Sequence, residues 1–362
     1  MSGLGFLDGF SFESLIAPCD SDVFIRDHWD KAPLHERRGL PDFYDGLLSL
    51  ADIDRVLAHT SQGGTRSAKG DVDIDAALRR LEQGAALVLD QAQHQLPTLA
   101  AVCRTVHATL GFRCHMSVEV TMASNKPHRN EASVEHRFVL QLVGRRNWQL
   151  DGPYLGEEFV LEAGDLLYLP PDCPFQHRST GDEAITAILS VQAQRWLDMA
   201  GAGALLDDIS APEDLAEPLP PGWIHTRRDE LVAELSRRWR QADDLDSVDA
   251  AVAQTIQTEV RAFPLDVAGR LVETMRPRAL TNQTVFNARR DLLWAFESNG
   301  PVSRLIAGPL TIDMKTDLVD AAQFCLSTPR FKTADVPGPM DDEDRENLIR
   351  VLSRNMLIHI AG

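Results

Sequence analysis

The sequence predicts a mixed α+β chain with an antiparallel β sandwich or barrel set between helical flanks. Three observations predict it. Apolar residues recur at helical spacing through the first 110 residues and again after Trp196. Between Arg113 and Val191 the pattern changes to short β-branched and alternating runs broken by Gly and Pro. At 362 residues, 44% hydrophobic and 25% charged, the chain is long enough for two or three domains and can bury a core without disulfides.

The N-terminal helices are expected at Phe12 to Ile16, Asp22 to Trp29, Leu50 to His59 (with Asp52 as N-cap) and Ile74 to Leu81. Ala86 to Asp90 has the look of a short buried strand. Pro97 to Leu110 returns to helix and stops at Gly111. The β region then supplies Val118 to Met122 and His136 to Val143, with Phe138, Leu140 and Leu142 on one face. Gly144 breaks that strand before Trp148 to Leu150. Phe159 to Leu161, a turn at Glu162 to Asp165, Leu166 to Leu169 before Pro170-Pro171, and Ala184 to Val191 complete it. Residues 212–221 hold four prolines and several acids, which marks a linker. Amphipathic helices at Asp229 to Trp239 and Val248 to Phe263 follow. The last 80 or so residues read as strands at Val285 to Ala288, Leu292 to Phe296 and Leu310 to Ile312, helices at Leu318 to Leu326 and Asp342 to Leu352, and a final strand at Leu357 to Ile360. Helices followed by a small β element suggest a winged-helix module.

Charge and cysteine content narrow the function classes. With 36 Lys+Arg against 54 Asp+Glu, the formal charge is −18. Phosphate contacts need cations, so nucleic-acid and anionic-membrane binding are disfavoured, while a basic partner is permitted. The five cysteines form no CxxC, which suits a reduced, cytoplasmic protein and not a zinc module. No apolar run is long enough to span a bilayer, and the first fifteen residues carry no signal-peptide pattern.

Several segments together resemble one family. Phe24-Ile-Arg-Asp-His-Trp-Asp-Lys-Ala-Pro-Leu-His-Glu-Arg-Arg38 is similar to the N-terminal signature of JmjC-type ribosomal oxygenases. Phe138 to Trp148 resembles their strand-turn-strand, and Glu162 to Pro171 their cupin strand before the distal metal ligand. Ser327 to Gly338 resembles their C-terminal winged helix. The resemblance implies a double-stranded β-helix (jelly-roll, cupin, JmjC) core within residues 1–206, a helical dimerisation segment at 207–279 and a winged helix at 280–362. It implies Fe(II) and 2-oxoglutarate as cofactors, hydroxylation of a side chain in a peptide or protein substrate, and a homodimer. In such enzymes two histidines and a carboxylate hold one face of the iron.

The ligand positions are where this chain departs. Aligned without gaps on Phe138 to Trp148, Arg146 falls on the 2-oxoglutarate cation, a role its guanidinium suits. Glu131, Ser133 and Phe175 fall on the two histidines and the aspartate of the iron site, so all three ligands are substituted. His28-Trp-Asp30, the literal His-x-Asp, lies in the N-terminal signature and reads as ordinary structure. Three histidines flank the vacated positions. His177 is two residues past Phe175 and so on the same strand face. His128 begins His128-Arg-Asn130, which a three-residue shift would put in place of His-x-Asp. His136 reads as a hydrogen-bonded core residue. A displaced metal site would therefore use His128, His177 and either Glu131 or Asn130. No catalytic residue is assigned. The alternative is a catalytically inactive JmjC scaffold or binding protein.

Overall fold

The computed structural model describes residues 9–61, 74–122, 127–181, 183–201, 213–239, 245–275 and 279–361. The chain divides into two compact units, Met1–Gln194 and Arg195–Gly362. The boundary expected at 206/207 and the linker's Pro212 lie outside the described residues.

In the first unit, α1 (Phe12–Ile16), α2 (Ser21–Asp27), β1 (Leu34–Glu36), α3 (Leu50–Ser61), α4 (Ile74–Glu82), β2 (Leu87–Leu89) and α5 (Pro97–Leu110) precede the barrel. The cap of α3 is Ser49, not Asp52. Ser49 Oγ accepts from the Asp52 N–H, and Asp52 Oδ2 accepts in return from the Ser49 N–H, so Asp52 is the reciprocal member of a capping box. Helix α5 starts with Pro97 and ends as expected at Gly111, whose φ of 78° no β-carbon encumbers.

The barrel comprises β3 (Arg113–Met122), β4 (His128–Asn130), β5 (His136–Val143), β6 (Arg145–Leu150), β7 (Glu158–Glu162), β8 (Leu166–Leu169), β9 (Phe175–Ser179) and β10 (Glu183–Gln192). They form a six-stranded sheet in the order β1-β8-β5-β10-β3-β2 and a four-stranded sheet in the order β4-β9-β6-β7, with the described pairings antiparallel. Gly144, at φ 73°, makes the turn that carries β5 of one sheet into β6 of the other. A β-carbon there would meet the Glu183 carbonyl oxygen.

Alternation along the strands sorts the side chains. Phe138, Leu140, Leu166 and Tyr168 lie on the outer face of the large sheet and are buried. The N-terminal helices cover them: the Phe24 ring stands 4.8 Å from Tyr168 and 5.8 Å from Phe138, and Phe12 stands 6.0 Å from Phe138. The inner faces enclose Val139, Trp148, Leu150, Leu161, Leu167, Leu169, Phe175 and Ile188 as one apolar cluster. Full burial of each such side chain contributes roughly 1.5–3 kcal/mol.

The second unit contains α6 (Trp196–Gly201), α7 (Arg228–Arg238), α8 (Leu245–Ala262) and α9 (Arg270–Met275), with α6 and α7 packed on α8. Next come β11 (Val285–Ala288), β12 (Ala295–Asn299), β13 (Val302–Ala307), β14 (Leu310–Lys315), α10 (Val319–Ser327), β15 (Arg330–Lys332), α11 (Asp342–Arg354) and β16 (Ile358–Ile360). Two three-stranded sheets result, β15-β11-β16 and β12-β13-β14. The strand expected at Leu292 to Phe296 begins three residues later. Leu292 and Leu293 are buried ahead of it as core anchors. The unanticipated β13 is the middle strand of its sheet, joined to its neighbours by Gly300-Pro301 and Gly308-Pro309, whose glycines take φ 71° and 55°. No described helix is long and apolar enough to cross a membrane.

Candidate functional site

The polar half of the barrel interior is built by three strands of the small sheet and one of the large sheet. Inward positions are Arg146 and Trp148 on β6, His177 and Ser179 on β9, His128 and Asn130 on β4, and Glu119 and Thr121 on β3. Register brings them together: His128 pairs with His177, Asn130 with Phe175, Trp148 with His177 and Arg146 with Ser179.

Arg146 has no exposed surface. Its Nη1 donates to Glu119 Oε1 at 3.1 Å. Its Nη2 lies within reach of the Glu119 carbonyl oxygen at 3.2 Å, Thr121 Oγ1 at 3.0 Å and the Ala184 carbonyl oxygen at 3.3 Å. Thr121 Oγ1 also shares a short hydrogen bond with Ser179 Oγ. His177 Nε2 approaches the same Glu119 oxygen at 3.2 Å, although the contact is not aligned as a hydrogen bond. The His177 ring lies 4.5 Å from Trp148 and 5.6 Å from His128.

Glu119 is 5% exposed. Burial pushes its carboxyl up, but His177, Arg146 and His128 together outweigh burial and hold it below the usual carboxylate value. Burial lowers the basicity of half-buried His128, with Glu119 acting against that.

The predicted residues are thus only partly united. His128, His177 and Arg146 meet around one carboxylate, and that carboxylate is Glu119. Glu131 lies beyond the end of β4, exposed. Ser133 instead fixes the hairpin, its carbonyl accepting from the Asp172 N–H at 2.8 Å. Phe175 is 1% exposed, with its ring 4.8 Å from Trp148 and the Arg137 guanidinium 5.2 Å above it. Asn130 stands across from Phe175. Sequence reading missed Glu119. Its one signal is a charged residue inside Val118-Glu-Val-Thr121, a strand otherwise fit for burial.

His136 behaves as a core residue. It stacks on Trp29 at 3.8 Å, its Nδ1 shares a 2.8 Å hydrogen bond with Tyr168 Oη, and burial lowers its pKa to about 3. Tyr168 Oη also accepts from the Asp30 N–H at 2.9 Å. His28-Trp-Asp30 is therefore part of the latch holding the N-terminal segment to the barrel.

An Fe(II) and 2-oxoglutarate centre would need free donor atoms, a converging ligand set and an unoccupied cation. The donor chemistry is partly suitable, since His128 Nε2 and both His177 nitrogens are buried without hydrogen-bond partners. The arrangement is not. Among the described residues, no group of three His, Cys, Asp or Glu side chains converges as a metal cage. The carboxylate nearest the imidazoles is engaged by a buried guanidinium, and Arg146 has its terminal nitrogens occupied by protein acceptors. The residues present do not fit the group.

Comparison with known proteins places the fold. The cupin domain family matches residues 115–191. The chain is 30% identical over 198 residues to ribosomal oxygenase 1 of Gallus gallus, covering 44% of this chain and 32% of the relative. It is 24% identical over 298 residues to ribosomal oxygenase 1 of Danio rerio, covering 67% of this chain and 54% of the relative. The alignments thus span about a third to a half of those relatives' length. A solved structure of the Escherichia coli ribosomal oxygenase YcfD, in complex with cobalt and 2-oxoglutarate, superposes with a TM-score of 0.51. That match has 15% identity and covers 95% of this chain and 99% of that one, a likeness of fold. The strand order and the matched segment show a cupin barrel in the first unit, and over that barrel the chain is similar to the ribosomal oxygenases.

Proposed function

We propose that this chain is a ribosomal-oxygenase-type barrel that works by holding a protein or peptide partner, without iron and 2-oxoglutarate chemistry. The burial of Phe175 carries the proposal. It occupies the position that the family resemblance assigns to the distal iron ligand, and it is packed into the barrel's apolar cluster. A phenyl ring offers iron no lone pair.

The charge of −18 supports a basic partner segment, and the relatives' names support one from the ribosome. The same proposal includes a cytoplasmic location, no nucleic-acid partner, a helical segment at 207–279 that makes a homodimer, and a winged helix at 280–362. Exposed Leu271, Val272 and Met275 on α9 support the dimer, while α10, α11 and the small sheets beside them in sequence support the winged helix. A light-scattering mass of one chain would remove the dimer.

The test is twofold. Fe(II) titrated anaerobically into chelator-treated protein should show no stoichiometric uptake. A fluorescent Lys/Arg-rich peptide should bind with affinity that falls as salt rises. One equivalent of iron, or no salt-dependent peptide binding, would overturn the proposal.

A second reading is favoured by the orphaned nitrogens of His128 and His177. A displaced metal site would use them with Glu119, in place of Glu131 or Asn130, and would require Arg146 to release that carboxylate. Uptake of one Fe(II) that His177→Ala abolishes would establish this reading over the first.

A further inference from the structure

A guanidinium buried this deeply needs a counter-anion, and its planar fork of N–H donors suits a carboxylate. In this barrel the carboxylate comes from the same chain. Glu119 projects from β3 of the large sheet and Arg146 from β6 of the small one, so the pair ties the two walls together. His177, 1% exposed, approaches the same oxygen to 3.2 Å from β9. Around them stand further donors: Arg146 Nε and Trp148 Nε1 are buried without hydrogen-bond partners, and so are both His177 nitrogens, at least one of which carries a proton. The seat is therefore built for an anion and already holds one.

We propose that Glu119 is a tethered carboxylate ligand. It fills the anion seat of Arg146 from within, so the barrel contains a small-carboxylate site that its own side chain keeps closed. Removing Glu119's carboxylate opens that site to a free carboxylate of the acetate class, the fragment that a Glu→Ala truncation deletes. The inference rests on the Arg146 geometry and is separate from the reading on iron. Metal uptake by the wild-type chain that Glu119→Ala leaves intact would overturn that reading and leave this one standing.

The experiment uses the full chain. Acetate, succinate and 2-oxoglutarate are titrated into wild type, Glu119→Ala and Glu119→Ala/Arg146→Met, with acetamide as the uncharged isostere, and binding is read by calorimetry and thermal shift. Glu119→Ala should bind acetate saturably, at least tenfold tighter than wild type or the double variant, and should ignore acetamide. A folded Glu119→Ala that binds no carboxylate would overturn the proposal. The wild-type arm decides even if that variant does not fold. Saturable 2-oxoglutarate or succinate binding to wild type, abolished by Arg146→Met, shows an open seat and overturns the proposal, while no such binding supports a closed one.

Discussion

One oxygen of Glu119, Oε1, lies 3.1 Å from Arg146 Nη1 and 3.2 Å from His177 Nε2. Two basic side chains on different strands therefore lean on a single acceptor. Losing either member of the Arg146–Glu119 pair strands a charge in a nearly dry interior, at a cost of about 3–5 kcal/mol. Glu119→Leu and Arg146→Met should each show this loss in urea unfolding. The double variant should recover a large part of it. Strictly additive losses would mean that the two side chains do not act as a pair.

Restoring ligand chemistry should require two changes on facing strands. Asn130 and Phe175 are register partners, and His128 is two residues before Asn130 on the same strand face. Asn130→Asp with Phe175→His would present two imidazoles and a carboxylate. The double variant should take up about one equivalent of Ni(II) or Fe(II) by calorimetry where wild type takes up none. Without metal it should be roughly 2–4 kcal/mol less stable, because a polar ring replaces a packed phenyl. Equal uptake by both proteins would show that Phe175 does not block the site.

Acid should weaken the first unit in two stages. Burial depresses the pKa of His136 to about 3 and that of His107, with help from Arg113, to about 4. An unfolded histidine takes a proton near pH 6.5, so their neutral, buried forms stabilise the fold fully above that value. The contribution falls by about 1.4 kcal/mol per pH unit for each group as pH drops toward the folded values. Glu119 is also depressed, but from the carboxylate range. Its contribution is full above about pH 4.3 and is lost below it as the folded value is crossed. His136→Phe should flatten the limb between about pH 6.5 and 4.5 and leave the lower stage, as followed by urea midpoints at several pH values. An unchanged limb would remove His136 from the account.

Gly144 sets the course of β6. Its φ of 73° and the Glu183 carbonyl oxygen at 2.0 Å from a β-carbon's place leave no room for a side chain. Gly144→Ala should cost at least about 1–2 kcal/mol from backbone strain alone, with a lower melting temperature. It should also disturb Arg146, two residues on, more than residues of the second unit, as amide exchange would report.

Much of the barrel was legible because its long strands carry strong patterns. His136 to Val143 and Ala184 to Val191 are apolar enough to declare themselves, and both occur as strands. The short strands at His128 and Phe175 were not legible. His-Arg-Asn and Phe-Gln-His-Arg-Ser lack apolar alternation, and pairing with neighbours, not intrinsic preference, makes them strands. The site suffered for the same reason. Histidines 128 and 177 could be suspected from their spacing around the vacated positions. Glu119 lies far from the motif in sequence, and only the closing of two sheets brings it to Arg146.

The strand Leu34–Glu36 borders Leu166–Leu169, and the Trp29 stack closes over His136 nearby. A protein cut back to the matched cupin segment would lose both. It would expose an unpaired ladder edge beside a greasy sheet surface, the arrangement that invites chains to associate side by side. Residues 115–191 thus mark the extent of the family match, and useful truncations should keep everything from the first helix onward.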